Sequence, residues 1–286
     1  MNIQHFVDVR KQSGLSQTEL VEGICTQATL SKFENNGQVP SLKILVQLCN
    51  RLNLPIQELF PKSTDAQSVV AKELNRCEFL LITSEFEELS KRLKKIDPTL
   101  IKTTPIRLQY YYLEGFVTLF QENKATDSLF LFDKMLLEQP EDSESLFRLL
   151  ALTGIGLVYS EEGATEKAEY YFDQVFQQIF TYQIKTIEDT WRVLNIVLHC
   201  GEFFGKKGEF EVSNTLLTYV LTLCSENHVT YYLARAAYQL AVNAQMANKE
   251  ERIIREYLHD AKAFAKVNKN EILLEKISHR LAQSEE

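Results

Sequence analysis

Two pairs of histidine and cysteine raise the question of a metal site. Cys200 directly follows His199, and His228 lies four positions after Cys224. Imidazole and thiolate are ligands that zinc prefers, but a structural site needs four of them at one point. Counted from Gly208, the pairs lie about 8 and 16–20 residues away on helices expected to be antiparallel, and so at different heights. We expect buried structural side chains, with no metal and no cofactor.

Catalytic motifs are absent from the sequence. It contains no HExxH, no GxSxG, no phosphate-binding Walker loop and no glycine-rich dinucleotide fingerprint. The five cysteines are scattered and form no CxxC pair, which indicates reduced, buried thiols. We therefore expect a protein that is not an enzyme.

Polar side chains recur every three to four positions on three segments that are otherwise apolar or small. They are Arg235, Gln239 and Asn243; Arg192, Asn195 and His199; and Tyr110 and Glu114. Gly154 and Gly156 lie on a fourth such segment and are expected to leave space there. If these segments stack side by side, their polar columns meet on an inner surface that can bind the backbone amides of an extended peptide. A hydrated inner surface without a ligand is the alternative.

The segments that carry these residues repeat along the chain. Polar breaks, which we interpret as turns, fall at Ser84, Asn123, Gly163, Gly208 and Asn248, with spacings of 39, 40, 45 and 40 residues. Glycine and asparagine favour the left-handed conformation that ends a helix. A period of this size predicts an α-solenoid of five helix pairs, followed by a capping helix. Only ten glycines and six prolines occur in 286 residues, which also favours an all-α fold.

Local signals divide the first sixty residues into five short helices. Ser16 with Glu19 forms a predicted capping box, and Thr26 and Ser41 are further predicted N-caps. The helices are expected at about 3–11, 17–22, 27–35, from 42 onward, and as a short turn at 54–60. The fourth helix and the turn are expected to bury Leu42, Leu45, Val46, Cys49, Leu52, Leu54, Ile56, Leu59 and Phe60.

Charge separates this N-terminal part from the rest. Residues 1–62 hold six basic and five acidic side chains, whereas the remainder holds 25 basic and 34 acidic ones. An acidic remainder disfavours wrapping by nucleic acid, so only the N-terminal part is expected to bind DNA. The polar segment PKSTDAQS suggests domains at 1–62 and 69–286, joined by a linker at 63–68. The sequence has no signal peptide and no apolar run of about 20 residues, which predicts a cytoplasmic protein without a membrane partner.

The motif GLSQTEL, continued by TLSKFENNGQVPSLKILVQLCNRLNLPIQELF, resembles the lambda-repressor-like, XRE-type helix-turn-helix domain over about fifty positions. This resemblance implies that the third helix enters the major groove of double-stranded operator DNA. Its base-reading residues would be Gln27, Ala28, Thr29 and Lys32, since an amide pairs with adenine and methyl groups pack on thymine. The implied phosphate contacts are Gln17, Arg10, Lys11 and Asn36.

A helix-turn-helix domain followed by tetratricopeptide-like pairs, such as GLVYSEEGATEKAEYYFDQVF, resembles the peptide-sensing regulators of Gram-positive bacteria, the group of PlcR, PrgX, NprR and Rgg. The resemblance implies a homodimeric transcription regulator whose repeats bind a short signalling peptide that alters DNA binding. Two alternatives stay open. The protein could be a constitutive regulator, or an adaptor whose repeats bind a protein partner.

Overall fold

Helices make up all the regular structure in the part of the chain that is described. The computed structural model describes residues 1–59, 66–140 and 145–283, and shows no strand within these ranges. Two units are distinguished, Met1–Val69 and Val70–Glu286, which we call the N-terminal unit and the repeat unit. The predicted all-α class is confirmed. Of the linker expected at 63–68, residues 63–65 lie outside the described residues, and residues 66–68 form the start of a helix.

The N-terminal unit follows the predicted caps closely. Its helices are α1 Ile3–Gln12, α2 Gln17–Val21, α3 Gln27–Asn36 and α4 Leu42–Arg51, followed by a 3₁₀ helix at Ile56–Leu59. The Ser16 hydroxyl accepts a bond from the Glu19 N–H, and the Glu19 carboxylate accepts one from the Ser16 N–H. The Thr26 hydroxyl caps α3 by accepting a bond from the Thr29 N–H, whereas the Ser41 side chain makes no capping bond at the start of α4. Gly23, at φ +70°, turns the chain between α2 and α3.

A small apolar core holds these helices together. Phe6, Leu20, Phe33 and Leu59 are fully buried in it, and the rings of Phe6 and Phe33 meet edge to face at 5.2 Å. Leu42, which the sequence assigned to this core, is instead 69% exposed. Leu42 is the first residue of α4, and its Cα–Cβ bond tilts toward the helix N-terminus. The side chain therefore points past the end of the helix into solvent and does not enter the core. The prediction for Phe60 lies outside the described residues.

Five antiparallel helix pairs and a last helix form the repeat unit. The pairs are α5 Ala66–Ile82 with α6 Phe86–Leu93, α7 Thr104–Phe120 with α8 Ala125–Leu137, α9 Leu146–Glu161 with α10 Thr165–Ile179, α11 Ile187–Lys207 with α12 Phe210–Glu226, and α13 Leu233–Met246 with α14 Glu251–Val267. The last helix is α15 Glu271–Gln283, and a 3₁₀ helix at Pro98–Leu100 precedes α7. All five predicted turn residues, from Ser84 to Asn248, have positive φ, which confirms the turns.

Glycines let neighbouring helices approach closely, and at Gly154 and Gly156 this packing fills the space that the sequence suggested for a ligand. The Phe132 ring of α8 inserts against Gly115 of α7 and Gly154 of α9, and Phe172 of α10 lies against Gly156. A Cβ at Gly115 would lie 2.7 Å from the Phe132 ring, and one at Gly154 would overlap it. Gly154 and Gly156 therefore make room for core aromatic rings and not for a ligand.

The first pair also contacts the fourth and fifth. Phe79 of α5 meets Trp191 of α11 and Tyr231, just before α13, with ring centroids 6.4 and 5.0 Å apart. Beside it, Glu78 accepts two bonds of 2.8 Å from the guanidinium of Arg192. These contacts join α5 to α11 across the inner face of the repeat unit, which we define as the face formed by α7, α9, α11 and α13.

Candidate functional site

The exposed face of α3 carries three of the predicted base-reading side chains, Gln27, Ala28 and Lys32. Thr29 is half-buried, and its hydroxyl bonds to that of Thr26 at 2.9 Å. Opposite this face Leu30 and Phe33 enter the core. The same spacing that anchors α3 therefore fixes which side chains point into solvent.

A chain of hydrogen bonds through Gln17 and Glu34 fixes the orientation of the Gln27 side chain. The Nε2 of Gln27 donates to Oε1 of Gln17 at 2.7 Å, and the Nε2 of Gln17 donates to Glu34 at 2.7 Å. Glu34 in turn accepts two bonds from the guanidinium of Arg10, at 2.7 and 2.8 Å. A glutamine amide has two N–H groups and one oxygen acceptor. Gln27 thus keeps one N–H and its oxygen, which is the pair that bidentate bonding to adenine requires.

The structure corrects the assignment of Arg10 to a phosphate. Its side chain is buried, and the remaining guanidinium nitrogen donates to the carbonyl of Leu15 at 2.9 Å. A buried charge requires a partner and bonds of this kind, so Arg10 has none of the freedom of a surface phosphate contact. Lys11 and Asn36 are exposed and stay candidates for such contacts.

A cavity of about 450 Å³ opens on the inner face of the repeat unit. It is lined by α7, α9, α11 and α13, by the turn between α5 and α6, and by residues at and before the start of α15. Apolar walls come from Phe86, Phe116, Phe120 and Leu273. This size lies within the usual range for small-ligand pockets, about 300–1,000 Å³.

Four of the eight residues predicted for the inner surface line this cavity: Asn195, His199, Arg235 and Gln239. Asn195 is only 3% exposed, and its Oδ1 receives no hydrogen bond from the described residues. A buried acceptor without a donor is costly. This oxygen is enclosed by the surrounding protein atoms, although the Asn195 residue itself contributes to the cavity wall.

Around His199 the polar lining forms a connected cluster. Its Nδ1 lies 3.1 Å from Oε2 of Glu202, and Arg235 donates to both oxygens of the same carboxylate at 3.0 and 3.2 Å. Burial raises the pKa of Glu202, but Arg235 and His199 outweigh this and lower it to about 2. Burial lowers the pKa of His199, with Glu202 opposing. A neutral ring therefore donates from Nδ1 to an ionised Glu202, which leaves Nε2 as an acceptor.

The other four predicted residues do not line the cavity. Asn243 is fully buried and donates to Ser213 and Asn214 of α12, at 2.7 and 2.9 Å. Arg192 is committed to its ion pair with Glu78. Tyr110 and Glu114 are half-buried on α7, outside the lining. For Asn243 and Arg192 the structure thus replaces a ligand contact with a structural one.

Several lining residues were missed by the sequence analysis, among them Glu202, Lys206, Tyr238 and Lys276. Glu202 could have been found, because it lies three positions after His199 on the same helix face. Lys276 could not, because α15 approaches the cavity only through the packing of the last pairs.

The histidine–cysteine pairs do not come together as metal ligands. Cys200 and Cys224 are buried, which raises the pKa of both thiols, and that of Cys224 to about 12. His228 is exposed in a turn at φ +54°. Within the described ranges, no group of three or more histidine, cysteine or acidic residues is placed to hold a metal. No helix there has both the length and the apolar character needed to cross a membrane.

Comparison with known proteins bears on both units. Residues 8–59 match the helix-turn-helix family HTH_3. The N-terminal unit contains a helix-turn-helix domain. No curated protein matches the chain. The helix-turn-helix assignment places α3, with Gln27 and Lys32, in the position of the recognition helix.

Solved structures match the chain over nearly its whole length. PlcR of Bacillus thuringiensis, in complex with the peptide PapR7 and DNA, is 16% identical, with a TM-score of 0.64 over 96% of this chain and 98% of that one. ComR of S. thermophilus in its apo form is also 16% identical, with a TM-score of 0.62 and 97% of each chain covered. A structure of ComR from S. thermophilus in complex with DNA and its signalling peptide ComS is 15% identical. Its TM-score is 0.56, and the match covers 100% of both chains.

At these identities the comparisons establish a shared fold. The predicted resemblance to helix-turn-helix regulators with a helical repeat body is confirmed. The matched proteins are DNA-binding regulators and not enzymes.

Proposed function

We propose that this protein is a homodimeric, sequence-specific transcription regulator whose repeat unit binds a short signalling peptide that alters DNA binding. The observation that carries the proposal is the inner-face cavity, which combines apolar walls with the polar side chains of His199, Arg235 and Gln239. PlcR and ComR, which share the fold, have been captured with DNA and a peptide. We place the protein in the cytoplasm, where it has access to both the operator DNA and the signalling peptide.

Dimer formation follows from the weak charge of the N-terminal unit. With six basic and five acidic side chains in residues 1–62, a single domain neutralises few phosphates. Affinity from phosphate contacts grows with their number, so useful affinity requires two domains on paired half-sites. A peptide then changes operator affinity only if it binds one arrangement of the dimer better than another.

Removing the side chains of Gln27 and Lys32 is expected to weaken operator binding roughly a hundredfold, because each such contact contributes about 1–3 kcal/mol. The measurement is a titration of the Gln27→Ala, Lys32→Ala variant with an operator selected from random duplexes by the unaltered protein. Gln47→Ala, exposed on α4, serves as the control and should leave affinity unchanged. Equal affinity of the double variant and the control would refute the proposed role of α3.

Peptide binding is expected to depend on the cavity residues and not on the predicted residues outside it. Calorimetric titration with five- to eight-residue peptides encoded near the gene should show saturable binding, which Asn195→Ala and Gln239→Ala each reduce at least about tenfold. Tyr110→Phe and Glu114→Ala are matched controls and should bind normally.

The second candidate function is that the repeat unit binds another protein and not a signalling peptide. Exposed apolar side chains on the outer helices α8 and α10, namely Phe130, Leu137 and Tyr170, favour this alternative. If no peptide binds, pull-down with and without residues 1–62 would test it.

A further inference from the structure

Two stretches on outer helices of the repeat unit lack charged side chains. No aspartate, glutamate, lysine or arginine occurs at 174–184, in the second half of α10 and the connection after it, or at 212–225 in α12. The uncharged run at 149–160 on α9 is explained by burial, but many side chains of the two outer stretches are exposed. We call these exposed side chains, together with the half-buried Tyr219, the uncharged patch: Phe176, Gln177, Gln178, Phe180, Thr181, Gln183, Thr215, Thr218, Thr222 and Ser225.

Aromatic contacts join the two stretches into one surface. The ring of Phe180 on the α10 side lies 5.3 Å from that of Phe176 and 5.4 Å from that of Tyr219 on α12, centroid to centroid. Phe176 and Phe180 are nonetheless 39% and 46% exposed. Depletion of charged residues together with enrichment in aromatic ones distinguishes the core of a protein–protein interface from the rest of a surface.

The polar groups of the patch are prepared for burial. The Thr215 hydroxyl donates to the carbonyl of Glu211 at 2.9 Å, and that of Thr222 donates to the carbonyl of Thr218 at 3.1 Å. Thr181 also donates to a backbone carbonyl. A hydroxyl whose donor is already bonded within its own helix loses little when water leaves, whereas an unpaired one is costly to bury. Threonine also has less side-chain freedom to lose than the lysine and glutamate of an ordinary surface.

Charge indicates which partner fits this surface. The chain beyond residue 62 holds 25 basic and 34 acidic side chains, so two copies repel each other over most of that surface. A two-fold symmetric contact places the same patch of both copies against itself. A charged patch would then meet its own sign, whereas an uncharged one does not. A basic partner protein, in contrast, would find no carboxylate to bind there.

From this arrangement we propose that the uncharged patch is the surface through which two copies of this chain form a dimer. The rings of Phe176, Phe180 and Tyr219 lie at its centre and are covered by the second copy. The threonine face of α12 packs beside them. This inference rests on the proposed function, because it assigns the interface of the homodimer that the operator requires.

Sedimentation equilibrium of the full-length protein over a range of concentrations tests the inference. Gln177→Glu with Thr218→Glu places two negative charges in the patch, and Gln177→Lys with Thr218→Lys places two positive ones. Each double variant should raise the dimer dissociation constant at least about a hundredfold, because like charges then meet across the two-fold axis. An equal mixture of the two variants should restore dimers, since opposite charges face each other in the mixed pair.

The matched control is Thr126→Glu with Phe130→Glu, which adds the same two charges to exposed positions of α8 outside the patch and should leave the dimer unchanged. Charged patch variants that dimerise as well as the control would overturn this inference and leave the proposed homodimeric regulator standing. Monomeric variants whose mixture also stays monomeric would overturn it too. An unaltered protein that is monomeric at every concentration, with and without its selected operator, would overturn both the inference and the proposed dimer.

Discussion

Replacing Glu78 by alanine is expected to lower the free energy of unfolding of the repeat unit by about 3–5 kcal/mol. The Glu78 carboxylate is 1% exposed and accepts bonds from both Nε and Nη2 of Arg192, and from Gln109 at 2.7 Å. The Arg192 side chain is itself only 12% exposed. Without Glu78 its charge stays buried beside the Phe147 ring, and Asp189, at 3.9 Å, is too far to form a hydrogen bond.

The single tryptophan of the chain provides the measurement. Trp191 precedes Arg192 and contacts Phe79, so its fluorescence during urea unfolding reports on this junction directly. Glu87→Ala, which removes one partner of an exposed ion pair with Lys91, is the control and should cause no measurable change. Combining Glu78→Met with Arg192→Met should restore most of the loss, because an apolar pair leaves no buried charge. A loss below about 1 kcal/mol in Glu78→Ala would contradict the structural role of the pair.

The Glu78–Arg192 pair also marks where prediction from the sequence ends. Its residues are 114 positions apart, and no local pattern relates them. The turns at Ser84 and Gly208 were predictable, because positive φ depends on the chemistry of a few neighbouring residues. The capping box of Ser16 and Glu19 was predictable for the same reason.

The candidate site was only half predictable, and Gln239 and Asn243 explain why. Both lie on the same side of α13, four positions apart, and the sequence assigned both to the inner surface. In the structure Gln239 lines the cavity, while Asn243 bonds to Ser213 and Asn214 on the partner helix of the preceding pair. Spacing determines which residues share a helix face. It does not determine whether that face meets a cavity or a neighbouring helix at a given height.

In the N-terminal unit Arg10 presents the same difficulty. A basic residue near a recognition helix suggests a phosphate contact, but Glu34 lies within reach in the folded unit and holds the guanidinium. Gln17 donates to Glu34, and Gln27 donates to Gln17, so the Arg10–Glu34 pair supports the exposed face of α3. Only the folded arrangement of α1, α2 and α3 reveals that role.

Gly154→Val is expected to destabilise the repeat unit by about 3 kcal/mol, at the upper end for overpacking of a core. The new Cβ would overlap the Phe132 ring, which is fully buried. This ring cannot retreat toward α7, because Gly115 already contacts it there with no side chain to yield. The sequence alone suggested the opposite, that Gly154 leaves space for a ligand. Under that interpretation the valine would weaken peptide binding and leave stability unchanged.

A double-mutant cycle separates the two interpretations. Phe132→Ala alone should cost about 3–5 kcal/mol by emptying the same site. Combined with Gly154→Val, it should cost at least about 1 kcal/mol less than the sum of the single changes, because the valine fills part of the space that the ring vacates. Urea unfolding of the unaltered protein and the three variants, followed by circular dichroism, gives the free energies of unfolding that the cycle compares. Strict additivity would mean that the ring and the glycine do not contact each other in solution, and the helix packing derived from that contact would then have to be revised.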